Sequence, residues 1–224
     1  MIFIKFELME AIQNNKKLYL AKQKSIRLYE SNLREFITTS HHFTPFIIFI
    51  PVCLYFIGET IYFISNGGLE EPLFIIPLAL VAICIWTLME YFIHRFIFHF
   101  QAKSKFMEQM LYLIHWAHHD YPDDTKRLVV PPIVTIPGGF LLYGLSYLIL
   151  GREYSAPFFS ALLTAYLIYD WCHFASHHLN YKNKLFQMMK KHHLRHHFQD
   201  TDNAFGFTTD LWDRLFNTMT KKQN

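Results

Sequence analysis

Twelve of the 14 histidines fall in four short clusters, HRFIFH (94–99), HWAHH (115–119), HFASHH (173–178) and HHLRHH (192–197). On a helix, residues three and four apart share a face. His115, His118 and His119 can therefore meet at one spot, as can His173 with His177, and His193 with His196 and His197. The spacing of five between His94 and His99 fits an α-helical face poorly. Those two either reach different metals or sit where a helix breaks on leaving the membrane. Neutral imidazole is the commonest side-chain metal ligand near neutral pH. One such pair is ordinary, but four at ligand spacing point to metal binding. They offer more nitrogens than one ion takes, so two ions fit the count. Nitrogen ligands alone suit zinc, iron or copper. No HExxH motif, Glu-x-x-His pair or cysteine motif accompanies them, which speaks against zinc proteases, carboxylate-bridged di-iron bundles and zinc fingers. In KKHHLRHH (190–197), Lys190, Lys191 and Arg195 are expected on the wet or head-group side.

The elements that carry these clusters are apolar. The chain has 224 residues, 52% of them hydrophobic, and a formal charge of +3. That composition excludes a disordered chain, and so small a charge gives no argument for nucleic acid. Four stretches, 46–64, 73–93, 133–150 and 156–172, approach the roughly 20 residues that cross a bilayer. The last two are short enough to be half-inserted or tilted. Of the 21 Lys and Arg, all but Arg152 lie on one side of these spans, which the positive-inside rule assigns to the cytoplasm. All histidines lie on that side too. The sequence thus predicts an all-α integral membrane protein, with about four transmembrane helices, a cytoplasmic histidine-rich helical cap and both termini cytoplasmic. Residues 1–45 are expected to form an amphipathic interfacial segment, helical over 5–37, and 46–224 the membrane-embedded domain. The opening MIFIKFELMEAIQ has no secretory-signal pattern.

Other residues carry weaker expectations. Glu90 and Asp170, four and three positions before His94 and His173, suit acceptors for a ligand's free ring N–H. Glu59 is costly in lipid unless it faces the bundle. Asp120, Asp123, Asp124, Lys126 and Arg127 read as a solvated or head-group loop. Trp116, Tyr121 and Trp212 read as an interfacial aromatic belt. Gly138 and Gly139 suit close helix packing. Cys53, Cys84 and Cys172 read as small buried hydrophobes.

The stretches EYFIHRFIFH (90–99), HWAHHDYPDDTKRLVVPP (115–132), YDWCHFASHH (169–178) and KKHHLRHHFQDTDNAFGFTTDLWDRLFNT (190–218) resemble the membrane-bound fatty acid hydroxylase superfamily. RLVVPP and GFTT–LWDRLFNT are similar to its sphingolipid fatty acid 2-hydroxylase branch. The resemblance spans about residues 73–219. It implies the metal ligands His94, His99, His115, His118, His119, His173, His177, His193, His196 and His197, with His178 and His192 adjacent to them and His41 and His42 outside. It also implies two iron ions, which zinc can replace in purified protein, together with O2 and an external electron donor. The reaction implied is hydroxylation at the 2-position of a fatty acyl chain, free or in a sphingolipid or ceramide. Larger members carry a fused cytochrome b5 domain. The 45 residues before the first span are too short for one, so a separate electron-transfer protein of cytochrome b5 or ferredoxin type is expected as partner, beside the lipid substrate and the membrane. Two alternatives stay open: a sterol- or carotenoid-type hydroxylase or desaturase, and a metal-binding transporter. A transporter would place ionisable groups through mid-membrane, where Glu59 stands alone.

Overall fold

The computed structural model of the chain describes residues 25–69 and 72–220. Every regular element among these residues is helical. Of the helix expected over 5–37, residues 5–24 lie outside the described residues, and 25–31 run without helix. The first helix, α1, is Asn32–Thr38, capped by the Ser31 hydroxyl, which accepts from the Arg34 N–H.

Three helices are long and apolar enough to cross a membrane, Thr44–Ser65, Pro72–Phe98 and Pro132–His178. α2 is Thr44–Ser65, with Pro45 in its first turn, where no intrahelical N–H is lost. α3 is Ile75–Phe92, preceded by a 3₁₀ turn and running on into a π-helical turn, Ile93–Phe98. α4, Lys105–Leu111, passes through a second π turn, Tyr112–Trp116, into the short α5, Ala117–Asp120. α6 is Pro132–His178, 47 residues; α7 is Lys184–Phe198 and α8 Leu211–Leu215.

A straight helix as long as α6 would reach about 70 Å, more than twice the ~30 Å hydrocarbon core. It does not run straight. Gly151 has φ 74° and ψ 174°, a conformation open to glycine at no steric cost. The rings of Tyr143 and Phe159 lie 5.3 Å apart, whereas sixteen residues of straight helix would separate them by about 24 Å. α6 therefore doubles back at Gly151. The third and fourth apolar stretches are its two halves, so the four expected spans correspond to three helices.

The two halves of α6 pack with α2 and α3 around Phe49, Phe56, Leu78, Ala82, Trp86, Phe159, Leu162 and Leu163. Phe56 meets Phe159 edge-on at 5.1 Å. Neither glycine of the expected close-packing pair is required by space: a Cβ on Gly139 would meet the Phe49 ring at an ordinary 3.6 Å, and Gly138 faces open space. Glu59 is paired with Arg152 at 2.9 Å beside the Gly151 bend, which answers the cost of its charge. Cys53 is buried, but Cys84 is exposed on the outer side of α3, where lipid rather than protein is its expected solvent.

The charged loop is solvated only in part: Asp120, Asp123 and Lys126 are exposed. Asp124 and Arg127 are buried. Asp124 accepts from the Ser25 hydroxyl, the Ile26 N–H and the Lys126 N–H. Arg127 donates to the Thr38 and Ile26 carbonyls and pairs with Glu35. Together they tie residues 25–38 across the base of the histidine-bearing elements.

Candidate metal centre

The histidines sit where the apolar helices end. His94 lies in the π turn after α3 and His99 follows it directly. His115, His118 and His119 occupy the π turn and α5, His173 and His177 the last turns of α6, and His193, His196 and His197 the last turns of α7. Ten side chains converge as two groups. His94, His99, His115, His119 and His196 form one, and His118, His173, His177, His193 and His197 the other. Within each group five ring nitrogens lie within 4.8 Å of one another. All ten residues expected as ligands fall in these groups.

The division between groups differs from what spacing suggests. Successive helical residues point about 100° apart, so His118-His119 and His196-His197 each send one ring to either group. His118 thus leaves His115 and His119, and His196 leaves His193 and His197. In the opposite sense, the π turn brings His94 and His99 together. Its wider ring, closed by the His99 N–H on the His94 carbonyl at 3.1 Å, puts residues five apart on one face. The two groups share a wall in which His119 stacks on His197 at 4.1 Å.

Hydrogen bonding fixes which nitrogens face inward. His94 Nδ1 lies 2.5 Å from the Phe205 carbonyl oxygen, and His196 Nδ1 lies 2.7 Å from that of Asn203. A carbonyl only accepts, so both Nδ1 atoms carry the proton and both Nε2 atoms present a lone pair. His115 Nε2 meets Nε2 of His94, His99 and His119 at 3.0, 3.1 and 2.8 Å, and one proton can satisfy only one of these contacts. In the other group His193 Nε2 faces His173 at 3.0 Å and His177 at 2.9 Å. Both ring nitrogens of His118 and of His197 are buried without a hydrogen-bond partner. Buried groups left so cost about 1–3 kcal/mol each.

These lone pairs fit a cation. With metal–nitrogen bonds of about 2.1 Å, right-angled neighbours stand about 3.0 Å apart and tetrahedral ones about 3.4 Å. The observed 2.8–3.1 Å contacts are close to the separations of neighbouring nitrogens on one cation. Electrostatics agree. Burial, reinforced by neighbouring histidines, lowers His99 to about 3 and His119 to about 2. Burial likewise takes His196 to about 4, and His115, His118 and His193 well below the ordinary value. Near neutral pH these rings are uncharged, as ligation requires.

The expected supporting residues act differently. Glu90 accepts from the Phe207 N–H at 2.5 Å, the Thr208 N–H at 2.8 Å and the Thr208 hydroxyl, not from a histidine. Asp170 is buried with Oδ2 unpartnered. His178 stacks on Phe174 at 4.7 Å, outside both groups, and His42 stacks on the same ring at 4.1 Å. Of the expected belt, Tyr121 is buried, Trp116 lies 4.9 Å from His99, and Trp212 donates to the Thr87 hydroxyl.

One functional group was missed. Asp213, fully buried, accepts from the Phe205 N–H, the Gly206 N–H, the Thr218 hydroxyl and His192 Nε2, at 2.7–2.9 Å. It holds residues 203–208 against the first group, and His192 is its partner rather than a ligand. The carbonyls that orient His94 and His196 belong to this segment. Ala204 takes φ 60° there, an uncommon conformation for alanine, with its N–H on the Thr218 carbonyl at 2.7 Å. Gly206 has no alternative, since a Cβ would collide with the Thr209 carbonyl oxygen. The only sequence signal was the family-like run GFTT–LWDRLFNT, which carried no role by itself.

Comparison with known proteins places this geometry. The family model for fatty acid hydroxylase matches residues 79–218. The Arabidopsis thaliana dihydroceramide fatty acyl 2-hydroxylase FAH1 is 33% identical over 200 residues, 89% of this chain and 82% of that protein. Human fatty acid 2-hydroxylase is 29% identical over 89% of this chain and 58% of its own length. Among solved structures, full-length scs7p, with only its hydroxylase domain visible, is similar at a TM-score of 0.79 and 31% identity, over 88% of this chain and 73% of that one. The chain belongs to the fatty acid hydroxylase family.

Proposed function

We propose that this protein is a di-iron, O2-dependent monooxygenase that hydroxylates carbon 2 of a fatty acyl chain, free or in a sphingolipid. The observation that carries the reading is the pair of five-nitrogen groups sharing one wall, in a chain whose relatives are named 2-hydroxylases. A first iron would be held by His94, His99, His115, His119 and His196, and a second by His118, His173, His177, His193 and His197.

When bound, the metals supply the reduction of O2. Overall, one C–H, O2, two electrons and two protons give C–OH and water, with the electrons coming from a separate protein donor. The chain's own residues orient the ligands and exclude water from their surroundings. The Asn203 and Phe205 carbonyls keep the Nε2 lone pairs of His196 and His94 turned inward. Phe98 stacks on His115 at 4.9 Å, and Phe207 lies 5.1 Å from His193, so hydrocarbon lines both sides of the centre. Four membrane crossings are proposed for α2, α3 and the two halves of α6, with the centre and both termini in the cytoplasm and residues 1–45 at the interface. Metals at that surface stand near the first carbons of an acyl chain.

Expression with a reductant system, followed by lipid analysis, tests the reading. Wild type should generate 2-hydroxy acyl chains, and a His118→Ala, His197→Ala double variant should not. Fully metal-loaded wild type that makes no 2-hydroxy product overturns the activity, and fewer than two metals per loaded chain overturns the dinuclear centre.

A further inference from the structure

α8, Leu211–Leu215, meets something different on each of its faces. At about 100° per residue, Leu211 and Leu215 share one face, and Asp213 lies about 160° from both. Asp213 points inward, where it accepts from the Phe205 and Gly206 N–H groups. Trp212 and Phe216 turn to α3. Trp212 donates to the Thr87 hydroxyl at 3.1 Å, and the Phe216 ring stands 5.7 Å from Phe92. Asp210 and Arg214 pair with each other on a further side. Leu211 and Leu215 are left 53% and 61% exposed.

Depth along α3 identifies what covers them. Counted from Ile75 at 1.5 Å per residue, Thr87 stands about 18 Å along the helix, Phe92 about 26 Å and Arg95 about 30 Å. The hydrocarbon core of a bilayer is about 30 Å thick. Arg95 is the first cation after Pro72. It donates to the Tyr91 hydroxyl at 2.7 Å, with its guanidinium 4.9 Å from the Phe96 ring, so it marks the edge of the apolar layer. α8 is fastened to Thr87 and Phe92, about 4–12 Å below that edge, which is the depth at which interfacial helices bury their apolar faces. Phe92 and Phe96 are themselves exposed and stack at 5.5 Å. The outer apolar surface of α3 thus continues over Phe216 to α8. Two leucines are far too small an area for a stable protein interface, but they extend a surface that lipid already covers.

We propose that α8 is a membrane-seated latch: its Leu211 and Leu215 face is buried among the acyl chains of the leaflet on the histidine side, and through Asp213 that seat holds the segment whose carbonyls orient His94 and His196. The seat rests on α3 crossing the bilayer and not on the reaction catalysed; its link to metal rests on the two-metal reading. Lipid thereby becomes a structural partner of the first histidine group.

The full-length protein in dioleoylphosphatidylcholine vesicles provides the test. p-Benzoylphenylalanine, a photoreactive residue that inserts into C–H bonds, is placed in turn at Leu215, at Leu80 on the exposed side of α3, and at Arg214. Irradiation should give a phospholipid adduct on the acyl chain at Leu80 and Leu215, and at least fivefold less at Arg214, read by mass spectrometry. Lipid at Leu80 without lipid at Leu215 overturns the seat, as does a cross-link from Leu215 to a second copy of the chain. Lipid at neither position overturns the crossing of α3 and the proposal with it. The link to metal is read in the same vesicles on protein loaded with two equivalents of zinc and challenged with chelator. Leu215→Asp and the milder Leu215→Gln should release one equivalent at a chelator concentration at least tenfold lower than wild type, and the other within threefold of it. Leu215→Phe should match wild type. A leucine facing water would tolerate all three changes, so unchanged release in Leu215→Asp and Leu215→Gln overturns the link, and equal loss of both metals overturns its assignment to the first group. Hydroxylation enters neither readout, so a metal-loaded wild type that makes no 2-hydroxy product overturns the proposed reaction and leaves the latch standing.

Discussion

The Asp213 clasp gives the most discriminating prediction, because the carbonyls it positions meet rings of one histidine group and not the other. Its carboxylate holds the Phe205 and Thr218 groups on Oδ1 and the Gly206 and His192 groups on Oδ2. Asp213→Asn keeps the shape but turns one oxygen into a donor. Facing His192, the new amide meets a ring that can change tautomer and accept, yet the Gly206 N–H loses its acceptor. Facing Thr218, it meets a hydroxyl that can accept, yet the Phe205 N–H is orphaned. Either way one buried backbone donor goes unpaired, at about 1–3 kcal/mol. Asp213→Ala orphans both, about 2–6 kcal/mol on the same scale.

That loss falls on the segment whose carbonyls orient His94 and His196. Removing a partner that orients a metal ligand typically weakens binding about 10–100-fold. No ring of the second group bonds to a carbonyl of this segment, so its affinity should stay within threefold. Protein loaded with two equivalents of metal is challenged with increasing chelator, and metal per chain is measured by mass spectrometry. Wild type should release its metals at high chelator. Asp213→Asn should release one equivalent at a 10–100-fold lower concentration and the other as wild type does. Asn203→Ala should behave as wild type, because the Asn203 carbonyl and not its side chain meets His196. Equal weakening of both metals, or none in Asp213→Asn, would refute the assignment of Asp213 to the first group.

Two further outcomes follow from burial. Five histidines of ordinary pKa 6.5 would each be about 90% protonated at pH 5.5, and proton competition would cost about 10⁵-fold in affinity. Here the histidine values of about 4, 3 and 2 lie below the ordinary one, so protons compete only as pH falls through about 4. Metal affinity of the first group should therefore change less than twofold between pH 7.5 and 5.5 in chelator competition, and a hundredfold loss there would contradict it. Arg127→Met breaks a buried ion pair, which costs about 3–5 kcal/mol. Limited proteolysis within residues 25–38 should become about 100-fold faster or more, with metal content unchanged. An unaltered cleavage rate would show that Arg127 does not hold that segment.

What the sequence revealed and what it concealed divide along a physical line. Apolar stretches identify helices because hydrophobicity over twenty residues outweighs local detail, and the expected 46–64 corresponds to Thr44–Ser65. The bend between the last two stretches was expected as a loop over 151–155, but a single residue suffices, Gly151 at positive φ, with helix on both sides. Histidine spacing identified which side chains could gather but not how they divide. That division depends on the 100° between neighbouring rings and on two π turns, whose wider backbone rings leave no residue signature. The missed supports, the Asn203 and Phe205 carbonyls, are main-chain atoms present at every position. Only their consequences are written in side chains. Gly206 is there because nothing larger fits beneath Thr209, and Asp213 because two backbone N–H groups, a hydroxyl and His192 need one buried acceptor. The run GFTT–LWDRLFNT is therefore a backbone requirement recorded in residues, the mould in which two histidines of the first group are set.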